Sequence, residues 1–175
     1  MAKKILIVDD EPGIIEVMVD YIKMSDLDVK VISAESVDKA LELVLKQKPD
    51  LIVTDIAMPN KNGIEFLREI RIRQLKIPVV VVTGHADEYM LEQAWKVGAN
   101  ACLRKPLNRK DFINGLSELL QKGSDFIYDS ASVPSPRVVH LMLSQELMKK
   151  AVLAASKSKL SVEDWIVAGV EASVN

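Results

Sequence analysis

The sequence predicts an α/β protein: a doubly wound, five-stranded parallel sheet with flanking helices, plus a small C-terminal strand-helix-helix module. Three observations carry this. Short apolar runs recur along the chain, as in "ILIV" (5–8), "LIV" (51–53) and "VVVV" (79–82), and a stretch with helical spacing follows each. The runs are almost uniformly apolar, the mark of strands buried on both faces by crossover helices. Polar and charged residues cluster where the runs end, as in "VDDE" (8–11) and "VTD" (53–55).

The elements follow in order. "KILIVDD" opens with a strand, and a helix runs from about Pro12 to Met24, with proline suited to its first turn. Glu11 reads as an acid in that first turn, where the helix dipole favours it. "VKVIS" (29–33) is the second strand, and Ser36 caps a helix to about Gln47. "DLIVTD" (50–55) is the third strand. "IAMPNKNG" (56–63) is a loop by its Pro, Asn and Gly, before a helix from Ile64 to about Arg73. "PVVVVTG" (78–84) is the fourth strand, and the helix 87–97 ends at Gly98. "ACLRKP" (101–106) is a short fifth strand closed by proline, and Asn108 caps a last helix to about Gln121.

Composition narrows the class. Of 175 residues, 49% are hydrophobic and 27% charged, which is globular rather than disordered. A formal net charge of −2 gives the whole chain no field to draw nucleic acid or anionic membrane. One cysteine, Cys102, excludes a disulfide framework, and two distant histidines argue against a His-based metal centre. No apolar run is long enough to span a bilayer, and the N-terminus lacks a signal peptide. The reading is a soluble, cytoplasmic protein without a membrane partner.

In open α/β sheets, sites form outside the carboxyl ends of the strands. Asp9 and Asp10 end the first strand, Asp55 the third and Thr83 the fourth, while Lys105 follows the fifth. Three carboxylates, a hydroxyl and an ammonium therefore converge on one edge. Any single acid here reads as a solvated strand end or helix cap, but the set at successive strand ends does not. Carboxylates in such a cluster suit a hard cation such as Mg²⁺, which takes oxygen ligands and keeps several waters. A metal holding phosphoryl oxygens beside a carboxylate makes that carboxylate a nucleophile for phosphoryl transfer.

With those residues in view, "ILIVDDEP", "LIVTDIAMPNKNG", "VVVVTGHAD" and "GANACLRKP" make residues 1–121 resemble the receiver domain of two-component response regulators, the chemotaxis-regulator fold. The resemblance implies strand order 2-1-3-4-5. It implies that Asp55 accepts a phosphoryl group from a histidine kinase or phosphotransfer protein of a phosphorelay. Asp9, Asp10 and Asp55, with the backbone carbonyl of Ala57, would hold Mg²⁺. Thr83 would hydrogen-bond the arriving group, Lys105 would pair with it, and Gly84 would leave it room. The Lys105–Pro106 bond should be cis. Such a protein is not a classical enzyme: it assists its own phosphotransfer and slow dephosphorylation.

Two other functions use the same residues. A haloacid-dehalogenase-like phosphohydrolase places a general acid two residues after the nucleophile, where this chain has Ala57. A pseudo-receiver loses an acid, the threonine or the lysine, and none is lost here. One position departs from the receiver pattern: the fifth strand commonly carries an aromatic residue three before the lysine, and here stands Cys102. A thiol cannot sweep a ring-sized volume, so threonine–aromatic coupling is in question. Cys102 reads as a small buried hydrophobe, and Trp95 as packing. His85, two residues after Thr83, occupies the position where receivers tune phosphoryl hydrolysis.

Residues 122–136, "KGSDFIYDSASVPSP", read as a linker, with Phe126, Ile127 and Tyr128 able to dock on the receiver. Residues 137–175 read as strand, helix, helix, with Ser144 and Ser161 as caps. Some forty residues cannot bury a sizeable core alone, so a homodimer is expected. The order resembles a ribbon-helix-helix module. Val138, His140 and Met142 would form its outward ribbon face, and only His140 among them can hydrogen-bond a base edge. A protein partner is therefore as well supported as DNA. The alternative is a ribbon-helix-helix transcription factor controlled by phosphorylation.

Overall fold

The structure is a computed structural model and describes residues 2–84, 88–130 and 133. Its elements run β1 (Lys3–Val8), α1 (Pro12–Lys23), β2 (Val29–Ala34), α2 (Val37–Gln47), β3 (Leu51–Asp55), α3 (Gly63–Ile72), β4 (Val79–Thr83), α4 (Glu88–Val97), β5 (Ala101–Arg104) and α5 (Arg109–Lys122). The strands form one sheet in the order β2-β1-β3-β4-β5, and every pair is parallel. This is the expected architecture, with boundaries within a residue or two of those read from the sequence.

Strand alternation divides the core into two layers. Leu6, Val8, Ile52, Val79, Val81 and Cys102 pack on one face with Ala40, Phe66, Leu67, Ile70 and Trp95 of α2, α3 and α4. Ile5, Ile7, Leu51, Val53, Val80, Val82 and Leu103 pack on the other with Met18 of α1 and Phe112 and Leu116 of α5. Both faces of β1, β3 and β4 are thus covered, which is why their sequences read as unbroken apolar runs.

Side chains fix the helix starts. Ser36 accepts a bond from Lys39 N, and Asn108 one from Asp111 N, as expected of caps. Asn62 and Glu65 complete a reciprocal capping box on α3, which begins one residue earlier than the sequence suggests. Glu11 differs from expectation: it is the N-cap of α1, outside the helix, and its side chain makes no capping bond. Its backbone N–H instead donates to Asp9 Oδ1 at 3.0 Å, so this turn is organised by the aspartate before it.

Past α5, the chain packs back on the domain rather than leaving it. Phe126, Ile127 and Tyr128 join the two core layers, as their apolar side chains suggest, and Ser130 and Val133 are buried. Among the described residues, no helix is long and apolar enough to cross a membrane. Residues 137–175, including Val138, His140 and Met142, lie outside the described residues.

Candidate functional site

Register brings the strand ends together. Val8 pairs with Thr54, Asp55 with Val82, and Thr83 with Arg104, so Asp9, Asp55, Thr83 and Lys105 meet at one edge of the sheet. Asp9, Asp55 and Thr83 are buried and Asp10 is half-buried. The Lys105 ammonium joins the two buried carboxylates, 2.9 Å from Asp9 Oδ2 and 3.1 Å from Asp55 Oδ1. Its backbone N–H donates to the carbonyl of Thr83 at 2.8 Å, and the Lys105–Pro106 bond is cis.

The two oxygens of Asp55 are not equivalent. Oδ2 accepts from the Ala57 N–H at 2.7 Å. Oδ1 is buried and accepts no hydrogen bond of good geometry, so the nearby ammonium meets it as a charge contact. Burial raises the Asp55 pKa above its ordinary value. Lys105 opposes this, the charge of Asp9 adds to it, and the Ala57 N–H opposes it, with burial prevailing. For Lys105, burial acts to lower the pKa, but Asp9 and Asp55 outweigh it and raise it, so the ammonium stays charged. The result is a fixed cation between two acids, with one carboxylate oxygen left without an aligned donor.

The donor set fits a hard cation. Two buried carboxylates, Asp9 and Asp55, suit Mg²⁺, which needs only one or two because it keeps its waters. Among the described residues, no group of three Asp, Glu, His or Cys side chains is placed to hold a metal ion, so an ion here would rest on two carboxylates and its own waters. Asp9 and Asp55 are the carboxylates the structure brings together and could hold it, while Asp10, half-buried at the strand end, is not gathered with them.

Gly63 closes the loop "IAMPNKNG", and nothing in that stretch marks it as the residue the start of α3 requires. A Cβ there would lie 1.9 Å from the Asp55 carbonyl oxygen and 3.1 Å from Thr54 Oγ1. The Gly63 N–H also donates to Ile56 O at 3.0 Å. Only glycine lets α3 begin this close to the end of β3. At Gly84 the reverse holds: a Cβ would rest in ordinary contact with the Lys105 stem, 3.7–3.8 Å away, so the position accommodates more than glycine.

Of the tuning positions, Ala57 is exposed beside Asp55, and Cys102 is fully buried in the layer covered by α2, α3 and α4. Burial pushes the Cys102 thiol well up from its ordinary value. Trp95 is buried in the same layer. His85 lies outside the described residues.

The comparisons agree with this geometry. The family described as "Response regulator receiver domain" matches residues 5–117. The alkaline phosphatase synthesis transcriptional regulatory protein PhoP of Bacillus subtilis is 31% identical over 122 residues, 70% of this chain and 50% of that protein. The phosphate regulon transcriptional regulatory protein PhoB of Pseudomonas aeruginosa is 31% identical over 124 residues, 70% of this chain and 53% of that protein. The chain thus spans about half the length of these relatives. A CheY-like receiver domain protein from Methanospirillum hungatei superposes with a TM-score of 0.65 at 25% identity, covering 70% of this chain and 96% of that one. A receiver domain protein from Clostridium thermocellum gives a TM-score of 0.64 at 29% identity, covering 69% and 95%. Profile, fold and the acid–lysine edge converge: this chain belongs to the response regulator receiver family of two-component systems.

Proposed function

We propose that Asp55 is the phosphoacceptor of a phosphorelay, charged by a histidine kinase or phosphotransfer protein in a Mg²⁺-dependent reaction. The observation that supports it best is the Asp9–Lys105–Asp55 bridge with Asp55 Oδ1 left without an aligned donor. The Ala57 N–H holds Oδ2, so Oδ1 is the nucleophile. It attacks the phosphorus of the donor's phosphohistidine. The phosphorus–nitrogen bond breaks, its electron pair stays with the imidazole, and an acyl phosphate forms on Asp55. Lys105 neutralises the phosphoryl oxygens, and the Thr83 hydroxyl donates to one of them. Asp9, Asp10, Asp55 and the Ala57 carbonyl would hold Mg²⁺, which would supply further charge neutralisation. Ala57 stands where a phosphohydrolase would have a general acid, so turnover of the acyl phosphate is slow.

Intact-mass spectrometry after treatment with a small-molecule phosphodonor and Mg²⁺ tests this. The wild type gains one phosphoryl group and Asp55→Asn gains none. Equal adduct on the variant would overturn the assignment.

For residues 137–175 the proposal is a homodimerising output module that binds a protein partner. The near-neutral charge of the tail and the mainly apolar ribbon face of Val138, His140 and Met142 support it. A second reading, DNA binding, is favoured by the names of PhoP and PhoB as transcriptional regulators. Binding of the phosphorylated protein to genomic fragments at ~150 mM salt separates the two. Selective nanomolar binding, lost on mutating Val138, His140 and Met142, would establish the transcription factor.

A further inference from the structure

The segment after α5 is fastened to the receiver at both ends of the last strand's neighbourhood. Asn100, the residue before β5, is almost fully buried. Its Oδ1 accepts from Val79 N at 3.0 Å and from the Arg71 guanidinium at 3.1 Å. Its Nδ2 donates to Ser124 O at 2.7 Å and Phe126 O at 2.8 Å, and its carbonyl accepts from Tyr128 N at 2.8 Å. The Tyr128 ring lies against Gly115, where a Cβ would come within 3.1 Å of it. Tyr128 OH donates to Asp111 Oδ1 at 2.7 Å, and Ser130 Oγ to Asp111 Oδ2 at 2.9 Å. Ile127 and Val133 pack with the α4 layer, while Phe126 and Tyr128 pack with the α5 layer. The segment therefore straddles the edge of the sheet at β5.

Asp111 is the unusual member. It is the third residue of α5, and its N–H is capped by Asn108. The equivalent acid on α3, Glu65, turns back to the N-cap N–H and completes a capping box. Asp111 instead gives both carboxylate oxygens to Tyr128 and Ser130. Its carboxylate thus holds the segment from a first-turn position that the helix dipole favours whether or not the segment is there. An acid stabilised in that way lowers the cost of letting the segment go.

We infer that residues 124–130 are a latch, held shut by Asp111 and Asn100 and opened by phosphorylation of Asp55. This rests on the phosphoacceptor reading. β5 is a four-residue edge strand lying between Asn100, the anchor, and Lys105, the bridge between Asp9 and Asp55. A phosphoryl group at Asp55 brings close to two negative charges and draws Lys105 away from Asp9. That pull, carried along β5, loosens Asn100 from Ser124, Phe126 and Tyr128, and the Asp111 carboxylate stays in the first turn of α5, where the dipole favours it. Opening lengthens the tether to residue 137. Closed, three residues follow Val133; open, thirteen follow Gly123.

Hydrogen–deuterium exchange on the full chain tests the latch, with the phosphoryl load read by intact mass on the same samples. In the unphosphorylated protein, amides of 124–130 are protected, and Tyr128→Phe with Ser130→Ala raises their exchange ~10-fold without altering α2. On phosphorylation the wild-type segment exchanges as fast as in that variant, and Asp55→Asn does not respond. A full phosphoryl load with unchanged exchange at 124–130 would overturn the latch and leave the phosphoacceptor standing. No phosphoryl load would overturn both. Unprotected amides before phosphorylation would overturn the closed state itself.

Discussion

Replacing Gly63 by alanine tests the close approach that places Asp55. An ideal Cβ would stand 1.9 Å from the Asp55 carbonyl oxygen and 2.9 Å from its carbonyl carbon. Side-chain Cβ atoms essentially never come within 3.0 Å of a heavy atom, so the two elements must part by roughly 1 Å. The obstacle is backbone of a buried strand, not the tip of a flexible side chain, and both neighbours are fixed. Asp55 pairs with Val82 in the sheet, and α3 buries Ile64, Phe66, Leu67 and Ile70. Overpacking in such a place costs about 3 kcal/mol, or roughly 10 °C in melting temperature for a domain of this size. Gly13→Ala is the control, since a Cβ there meets nothing within 4 Å. It should leave stability unchanged or raise it by ~0.5 kcal/mol through the unfolded chain. Thermal melts of both variants, with phosphorylation rates at a temperature where both are folded, make the comparison. Gly63→Ala should melt well below wild type and load phosphoryl groups more slowly, because Asp55 moves with the strand end. A Gly63→Ala protein that melts and reacts like Gly13→Ala would refute the packing argument.

Other outcomes follow from the same site. Burial raises the Asp55 pKa, so the fold disfavours its charged form once pH exceeds the ordinary carboxylate range. In chelator, Asp55→Asn should therefore be more stable at pH 7 by on the order of 1 kcal/mol, and the gain should vanish in acid, where the wild-type carboxyl is protonated in both states. Lys105 has the opposite sign of effect: its pKa is raised, so its contribution persists at neutral pH and is lost as pH rises through the folded value above the ordinary lysine range. Melting temperature should climb with Mg²⁺, a concentration ~100-fold over Kd adding about 2.7 kcal/mol, and Asp10→Ala should flatten the climb; an identical rise would place the metal elsewhere. Cys102 is fully buried with its thiol pKa pushed up, so a thiol reagent should label it only on unfolding, and rapid labelling of the native protein would contradict that burial.

The parts of the molecule legible in the sequence are those set by local rules. Strands buried on both faces must be apolar throughout, so "ILIV" and "VVVV" could be read directly. Ser36 and Asn108 cap because a short polar side chain before an amphipathic run satisfies orphan N–H groups. Asp9, Asp55, Thr83 and Lys105 converge because parallel topology puts every strand's carboxyl end on one edge. What escaped depends on contacts distant in the chain. Nothing near Gly63 says that the Asp55 carbonyl will lie against it. Nothing in "GANA" says that Asn100 will hold Ser124, Phe126 and Tyr128. The Gly, Ser and Pro content of 122–136 reads as a linker and its Phe126, Ile127 and Tyr128 as a docking stretch, but nothing local names Asp111 as the acceptor for Tyr128 and Ser130. Glu11 sits one position outside the first turn that its charge suggests, because Asp9 rather than the dipole governs that turn.

The central claim is that Asp55 carries the phosphoryl group, and locating that group tests it most directly. An acyl phosphate, unlike a phosphoserine or phosphothreonine, is reduced by borohydride to an alcohol, which marks the residue permanently for peptide mapping. The phosphorylated wild-type protein should carry the reduced mark at residue 55, in the peptide containing "LIVTDIAMPN", and nowhere else. A mark on Asp9, Asp10 or any other carboxylate, or a phosphoryl adduct that borohydride leaves intact, would contradict the account.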